Sequence, residues 1–127
     1  MTFLPEKDRE YLESKGIVFE EHEQGSQKGV ILKGFSLPHG RFDADAADIL
    51  ILLPPGYPDA APDMFYTLPW LKLAGRGCYA RRADQPFSFK GESWQRWSRH
   101  NSEWRPGADG IWTMIKRVEH ALELAAA

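Results

Sequence analysis

Cysteine is nearly absent: Cys78 is the only one among 127 residues. A single thiol cannot close a disulfide within the chain, so a small fold held together by disulfides is excluded. This usage is typical of proteins from a reducing compartment, and we expect a cytoplasmic location. Cys78 is nevertheless a candidate reactive thiol.

Long apolar runs are also missing. The longest, residues 49–53, ends at Pro54 and Pro55 and is far shorter than the roughly 20 residues that a membrane helix needs. Residues 1–6 show no basic flank followed by an apolar stretch, so no secretory signal is predicted. We therefore expect a protein that does not span a membrane.

The sequence lacks the spacing of common cofactor sites. The four histidines are scattered and the single cysteine lies apart from them, so no cluster with the spacing of metal ligands is present. Residues 75–77 form a Gly-Arg-Gly segment that is too short to cradle a phosphate. We predict no metal, no bound nucleotide and no other cofactor.

The composition is that of an ordinary globular protein. Apolar residues make up 43% of the chain and charged residues 27%, which provides enough apolar surface for a buried core. A single core is commonly built from about 100 to 150 residues. We therefore expect one domain over residues 1–127.

The order of apolar patterns and turn formers predicts an α+β fold. Pro5 and Gly16 bound a first helix, and Asp109 is expected to cap an amphipathic last helix. The predicted elements are a helix over 5–15, strands near 17–19, 30–32, 49–53 and 64–66, a long surface loop over 68–89, and a helix over 110–124. This order predicts a four-stranded antiparallel sheet with the last helix packed on one face.

Positive charge is concentrated in residues 72–105, which hold eight Lys or Arg against three Asp or Glu. Trp94, Trp97 and Trp104 are interleaved with these basic residues, a pattern found in single-strand nucleic-acid binders. The acidic remainder of the chain would oppose non-specific phosphate binding. We therefore predict no nucleic-acid partner, and a basic face toward an acidic protein is the alternative.

Two short motifs resemble those of the ubiquitin-conjugating-enzyme superfamily and its noncatalytic RWD relatives. Residues 57–62, Tyr-Pro-Asp-Ala-Ala-Pro, are similar to the superfamily's YPxxxP turn, in which two fixed φ angles make a rigid crossover between strands. Residues 104–106, Trp-Arg-Pro, are similar to the W-x-P that follows its active-site region. The motifs occur in the same order before the last helix.

A closer resemblance extends over nearly the whole chain, to the bacterial group called prokaryotic ubiquitin-conjugating family E. The matching motifs are Leu-Pro at 4–5, LP-x-G at 37–40, LLPPGYPDAAPDMFY at 52–66, WQRWSRH at 94–100 and W-x-PG-x-D at 104–109. The resemblance implies a ubiquitin-conjugating-like fold with a long active-site loop. It also implies three partners: a ubiquitin-like modifier, an adenylating activating enzyme and a processing peptidase.

The sequence departs from the superfamily at the catalytic cysteine, which carries activated ubiquitin as a thioester in classical members. The usual HPN segment is missing. Counting forward from Tyr57 by the superfamily's spacing leads to residues 78–82, whereas counting back from Trp104 leads to residues 96–98. The two counts disagree because this loop is longer than the classical one, so two candidates remain.

The first candidate is Cys78. Arg76, Arg81 and Arg82 follow or precede it closely, and positive charge favours the nucleophilic thiolate. The alternative is a cysteine that lies in a loop without a catalytic role.

The second candidate is Ser98 with His100. On an extended backbone, residues two apart share a face, so the imidazole could act as base or orienting group for the hydroxyl. Asn101 would then donate to a developing oxyanion. A serine would carry the modifier as an oxyester. The alternative is structural, with both side chains only satisfying hydrogen bonds in a segment held by tryptophans and arginines.

The resulting functional hypothesis is an acyl carrier and transferase for a ubiquitin-like modifier. The competing hypothesis is a noncatalytic RWD-like scaffold that binds the modifier or the activating enzyme. A carrier forms a covalent adduct with the modifier, whereas a scaffold binds without one.

Overall fold

The computed structural model describes residues 3–100 and 103–127. In chain order the elements are α1 (Glu6–Ser14), β1 (Phe19–Gln24), β2 (Gln27–Ser36), β3 (Ala46–Leu53), β4 (Phe65–Leu68), β5 (Gln85–Phe89), β6 (Glu92–Trp97) and α2 (Ile111–Glu123). Both helices and the first four strands lie close to their predicted positions. The fold is α+β, as expected.

The six strands form one antiparallel sheet in the order β1-β2-β3-β4-β6-β5. The expectation of four strands is therefore wrong. The missed pair, β5 and β6, is a hairpin whose turn residues Lys90 and Gly91 both have positive φ, 54° and 76°. Two consecutive positive φ values fit a two-residue primed turn, which is usually marked by Asn-Gly or Asp-Gly. The Lys-Gly pair here hid the hairpin within the predicted long loop.

The irregular segment between β4 and β5, residues 69–84, is called the 69–84 loop below. One buried side chain holds it at both ends. Gln95 is fully buried, and its Oε1 accepts hydrogen bonds from Thr67 Oγ1 at 2.8 Å and Leu71 N at 2.6 Å. Its Nε2 donates to Leu71 O at 3.1 Å and to Ala83 O at 2.8 Å. All four bonding positions of the amide are used, as burial of an amide requires.

The main core lies between α2 and one face of the sheet. The predicted apolar stripe of α2 is confirmed: Ile111, Met114, Ile115, Val118 and Leu122 are all buried. They belong to the same cluster as Trp97 of β6 and one face of β2 and β3. The strand residues of this cluster include Val30, Leu32, Ile49, Ile51 and Leu53. Because each fully buried large aliphatic side chain contributes roughly 1.5–3 kcal/mol, this stripe is sufficient to hold α2 on the sheet.

The amino terminus of α2 is capped from α1 and not by the residue predicted from the sequence. The N-cap position is Gly110, which has no side chain to offer. The carboxylate of Asp8, buried in α1, accepts the backbone N–H of Ile111 and the hydroxyl of Tyr57. Asp109 instead accepts from Arg105 N at 2.7 Å and Thr113 Oγ1 at 3.0 Å. The predicted cap at Asp109 is therefore wrong.

A second, smaller cluster occupies the other face of the sheet. Its buried members are Ile31, Leu50, Tyr66, Phe89 and Trp94, with Leu52, Met64, Leu68 and Phe87 partly buried around them.

No helix within residues 3–100 and 103–127 is long and apolar enough to cross a membrane.

Candidate functional site

Strand β6 ends at Trp97, and the next residues carry the candidate chemistry. Ser98 and His100 continue beyond the sheet on one side of the chain, and Ser98 Oγ lies 3.3 Å from His100 Nε2. This is the same-face arrangement expected for residues two apart on an extended backbone. The two side chains predicted to act together are therefore brought together, whereas their catalytic role stays a prediction.

Asp63 completes the cluster and was not predicted from the sequence. Its Oδ1 lies 2.7 Å from His100 Nδ1. The register of the sheet explains the contact, since Phe65 of β4 is paired antiparallel with Trp97 of β6, so residues just before Phe65 approach residues just after Trp97. Without β6, the sequence offered no signal that joins the PDMFY segment to the WQRWSRH segment.

The geometry fixes the roles of the two imidazole nitrogens. A carboxylate accepts hydrogen bonds and donates none, so the short contact with Asp63 assigns the proton to His100 Nδ1. In the neutral imidazole, the lone pair of Nε2 then faces the Ser98 hydroxyl. Serine, histidine and carboxylate in this order resemble the serine triad found on several unrelated folds, and we call Ser98, His100 and Asp63 the triad below.

The triad is open to solvent. The side chain of His100 is 57% exposed and that of Asp63 is 65% exposed, and Ser98 is half-buried. Hydrogen bonds and charges act more strongly in a low-dielectric, water-excluded site. The cluster therefore has the connectivity of a triad without the enclosure of one.

A cleft with basic walls adjoins the triad. One part, about 380 Å³, lies between α2 and residues 99–100, and a second part, about 580 Å³, includes Ser98 and the end of the 69–84 loop. Both parts share Arg99, His100 and Leu124. We call the two parts together the basic cleft, because every ionisable side chain that lines it is a base: Arg81, Arg82, Arg99, His100, Lys116, Arg117 and His120.

Arg99 ties Ser98 to the 69–84 loop. Its guanidinium donates to Ser98 O at 2.9 Å and to Arg81 O at 3.1 Å, and it lies 5.2 Å from the centre of the Trp97 ring. Burial lowers the pKa of Arg99, and the positive charge of Arg82 lowers it further. The backbone N–H of Ser98 donates to Arg82 O at 3.0 Å, so it is already engaged and is not a free oxyanion donor.

Cys78 lies in a different setting. It is half-buried in the 69–84 loop, where it packs against the main core, and its carbonyl accepts from Leu73 N at 2.7 Å. Within residues 3–100 and 103–127, no hydrogen bond joins its thiol to a histidine or a carboxylate. The structure thus does not bring Cys78 together with Ser98 and His100. Asn101 lies outside the described residues.

The tryptophans of the basic segment are turned inward. Trp94 is 1% exposed and Trp97 is 0% exposed, while Trp104 packs against Tyr57 and lies beneath the guanidinium of Arg117. Trp94 and Trp97 therefore present no face on which nucleic-acid bases could stack.

The described part of the chain holds no group of three or more His, Cys, Asp or Glu side chains placed to bind a metal ion.

Comparison with known protein families identifies the chain's relatives. A family model described as Prokaryotic E2 family E matches residues 4–125. The chain belongs to prokaryotic E2 family E. No curated protein and no solved structure gives a match. The family match confirms the membership that the motifs at 52–66 and 94–100 indicated, and it includes all three residues of the triad.

Proposed function

We propose that this member of prokaryotic E2 family E is a ubiquitin-conjugating-type acyl carrier that holds a ubiquitin-like modifier as an oxyester on Ser98. The observation that carries the proposal is the chain of contacts from Asp63 through His100 to Ser98. Membership of the family supports a modifier as the acyl group, and an activating enzyme and a processing peptidase as further partners.

In the loading step, Ser98 Oγ attacks the activated carboxyl carbon at the modifier's C-terminus. The new C–O bond forms as His100 Nε2 takes the hydroxyl proton, and the bond from the acyl carbon to the activating group breaks. The leaving group is AMP if the donor is the acyl adenylate, or a thiolate if the donor is an enzyme thioester. Asp63 holds the imidazole in the required tautomer and stabilises its protonated form.

In the transfer step, a neutral amine attacks the same carbonyl carbon. The amide C–N bond forms and the ester C–O bond breaks, while neutral His100 Nε2 takes the proton that the amine loses and delivers a proton to the departing Ser98 oxygen. An oxyester is less reactive than a thioester toward amines, so this step depends on an enclosed site with a positioned base. The exposure of His100 and Asp63 fits a site that is completed only when a partner covers it.

Cys78 is the second candidate carrier within the same proposal. Its thiolate would give a thioester with ordinary reactivity, but its packing against the core and the absence of a neighbouring base among its described contacts favour Ser98.

The experiment is to incubate the protein with modifier, activating enzyme and ATP and to look for an adduct of the two proteins on a denaturing gel. Ser98→Ala should abolish an adduct that resists thiol reductant and is cleaved by mild alkali. Cys78→Ala should leave it unchanged, and Ser88→Ala, which alters an exposed serine on β5, is the matched control. An adduct that survives in Ser98→Ala and is cleaved by reductant would transfer the role to Cys78.

A scaffold function is the second candidate, and one observation favours it. The partly buried side chains Leu52, Met64, Leu68 and Phe87 surround the smaller cluster on the sheet face opposite α2, and such apolar surface is suited to protein binding. A scaffold predicts a stable complex with modifier or activating enzyme and no adduct in any variant, including wild type.

A further inference from the structure

The charge of the basic cleft is the feature that the proposed function leaves unexplained. The chain as a whole has a formal net charge of -2, yet all the ionisable side chains in the cleft walls are bases. Acyl transfer on Ser98 needs a base and oxyanion donors, and it does not need six further basic side chains, of which three lie on α2 and three in the 69–84 loop and at Arg99. A cluster of one sign within an oppositely charged molecule indicates a ligand of the other sign.

The basic cleft extends from α2 to Ser98. Its two parts share the lining residues Arg99, His100 and Leu124, and Ser98 lines the second part. The α2 side of the cleft runs from Thr113 to Leu124, the residue directly after α2, about 16 Å at 1.5 Å per helical residue. That length matches about five residues of extended peptide at 3.3 Å each.

The wall combines charge with apolar surface. Leu124 is 62% exposed, one of only two large apolar side chains with that degree of exposure among the described residues, and it contributes to both parts of the cleft together with Ala121 in the first. Apolar positions between basic ones suit a peptide whose side chains alternate between acidic and aliphatic. They suit a phosphate backbone poorly, and the buried Trp94 and Trp97 give bases nothing on which to stack.

Covalent continuity selects the occupant. The acyl carbon must reach Ser98 Oγ, so the residues directly preceding it have to lie beside Ser98, which lines the cleft. An acceptor amine needs to bring only a side chain. We infer that the basic cleft binds the last few residues of the acyl donor in extended form, and that this tail is acidic. The inference rests on the proposed function for the identity of the donor.

Binding can be measured without any chemistry. The probe is a fluorescein-labelled five-residue peptide amide, Asp-Leu-Asp-Leu-Gly, compared by fluorescence polarisation with Asn-Leu-Asn-Leu-Gly and Lys-Leu-Lys-Leu-Gly. The acidic peptide should bind tightest, and its affinity should fall as salt is raised because exposed charges are screened. The Lys116→Glu/Arg82→Glu double variant should weaken it by roughly five- to tenfold, as expected for the loss and reversal of two exposed charge contacts.

The matched control is Lys7→Glu, which reverses an exposed lysine on α1 and should leave affinity unchanged. Circular dichroism of each variant establishes that it is folded. Equal or tighter binding of the neutral or basic peptide, or no loss in the double variant, overturns the inference. So does an oligothymidine of equal charge that binds as tightly and loses affinity in the same variant, since the cleft would then be a general anion surface.

The Ser98→Ala variant separates this inference from the proposed function. It should bind the acidic peptide as well as wild type does, because the peptide amide forms no ester. Loss of adduct with retained peptide binding is the result expected if both ideas hold. Peptide binding in a protein that never forms an adduct contradicts only the carrier function, whereas adduct formation without preference for the acidic peptide contradicts only the cleft assignment.

Discussion

Gln95 and Ser98 lie three residues apart at the end of β6, yet their surroundings are opposite. The Gln95 amide is fully buried and all of its hydrogen bonds are made inside the protein. Ser98 bonds to a histidine that is more than half exposed. The comparison shows how exposed side chains can be positioned: the rigid, satisfied amide fixes the strand end, and the side chain of His100 beyond it is open to solvent.

The largest effect is expected for Gln95→Leu. Leucine has a similar size but leaves Leu71 N–H, Leu71 O and Ala83 O buried without partners, and each such group costs about 1–3 kcal/mol. We expect the free energy of unfolding to fall by roughly 3–5 kcal/mol after partial relaxation, measured by urea denaturation. Gln85→Leu, at an exposed position on the neighbouring strand, is the control and should change it by less than about 0.5 kcal/mol. A small change in the free energy of unfolding of Gln95→Leu would show that the hydrogen bonds of Gln95 do not fix the end of β6.

Asp63→Asn tests the solvent-exposed side of the comparison, the contacts of Ser98 and His100. An asparagine at this position can donate to His100 and so stabilise the wrong tautomer, which should slow adduct formation by roughly 10- to 100-fold. Because Asp63 is exposed, the free energy of unfolding should change by less than about 0.5 kcal/mol. Adduct rates and urea denaturation measure the two quantities. Asp59→Asn, an exposed aspartate in the same turn region, is the control, and equal rates in both variants would exclude an orienting role for Asp63.

A smaller effect is expected at Asp8, a second buried polar group. Burial raises the pKa of Asp8, although the hydrogen bonds from Tyr57 and Ile111 oppose this. A raised folded pKa contributes stability that is complete below the ordinary value of 3.8 and is lost as pH rises through the raised value. The free energy of unfolding of wild type minus that of Asp8→Asn should therefore fall as pH rises from about 3.5 to about 7. Urea denaturation at several pH values measures both free energies.

Glu21 provides the contrasting control for Asp8. Burial also raises the pKa of Glu21, but hydrogen bonds from Leu4 N, Phe3 N and Arg9 outweigh it and the net shift is downward. The difference between wild type and Glu21→Gln should therefore grow as pH rises through the ordinary value of 4.5. If this free-energy difference changed with pH in the same direction for Asp8→Asn and Glu21→Gln, the charged Asp8 carboxyl would not be the group that burial destabilises.

Local patterns predicted the elements that depend on neighbours in sequence. The stripe on α2 and the apolar run of β3 required only a periodicity, and the contact between Ser98 and His100 required only an extended backbone. The hairpin of β5 and β6 was missed because its Lys-Gly turn lacks the usual residues. Asp63 was missed because its contact depends on the pairing of β4 with β6, which no local pattern encodes.

The cap of α2 shows the same limit in another form. Asp109 has the residue type and position of a cap, and only the packing of α1 on α2 reveals that Asp8 performs this task. Sequence reasoning therefore identified two of the three triad residues and neither the third residue nor the true helix cap. Both omissions are contacts between elements far apart in the chain.

Strand β6 carries one buried tryptophan to each face of the sheet, Trp94 in the smaller cluster and Trp97 in the main core. A slip of one residue in its pairing would exchange the two faces and move both indoles into the wrong layer. Packing on both faces therefore fixes the register of β6 against a shift in either direction. The short segment that bears Ser98 and His100 thus leaves the sheet at a position that is fixed relative to both apolar layers.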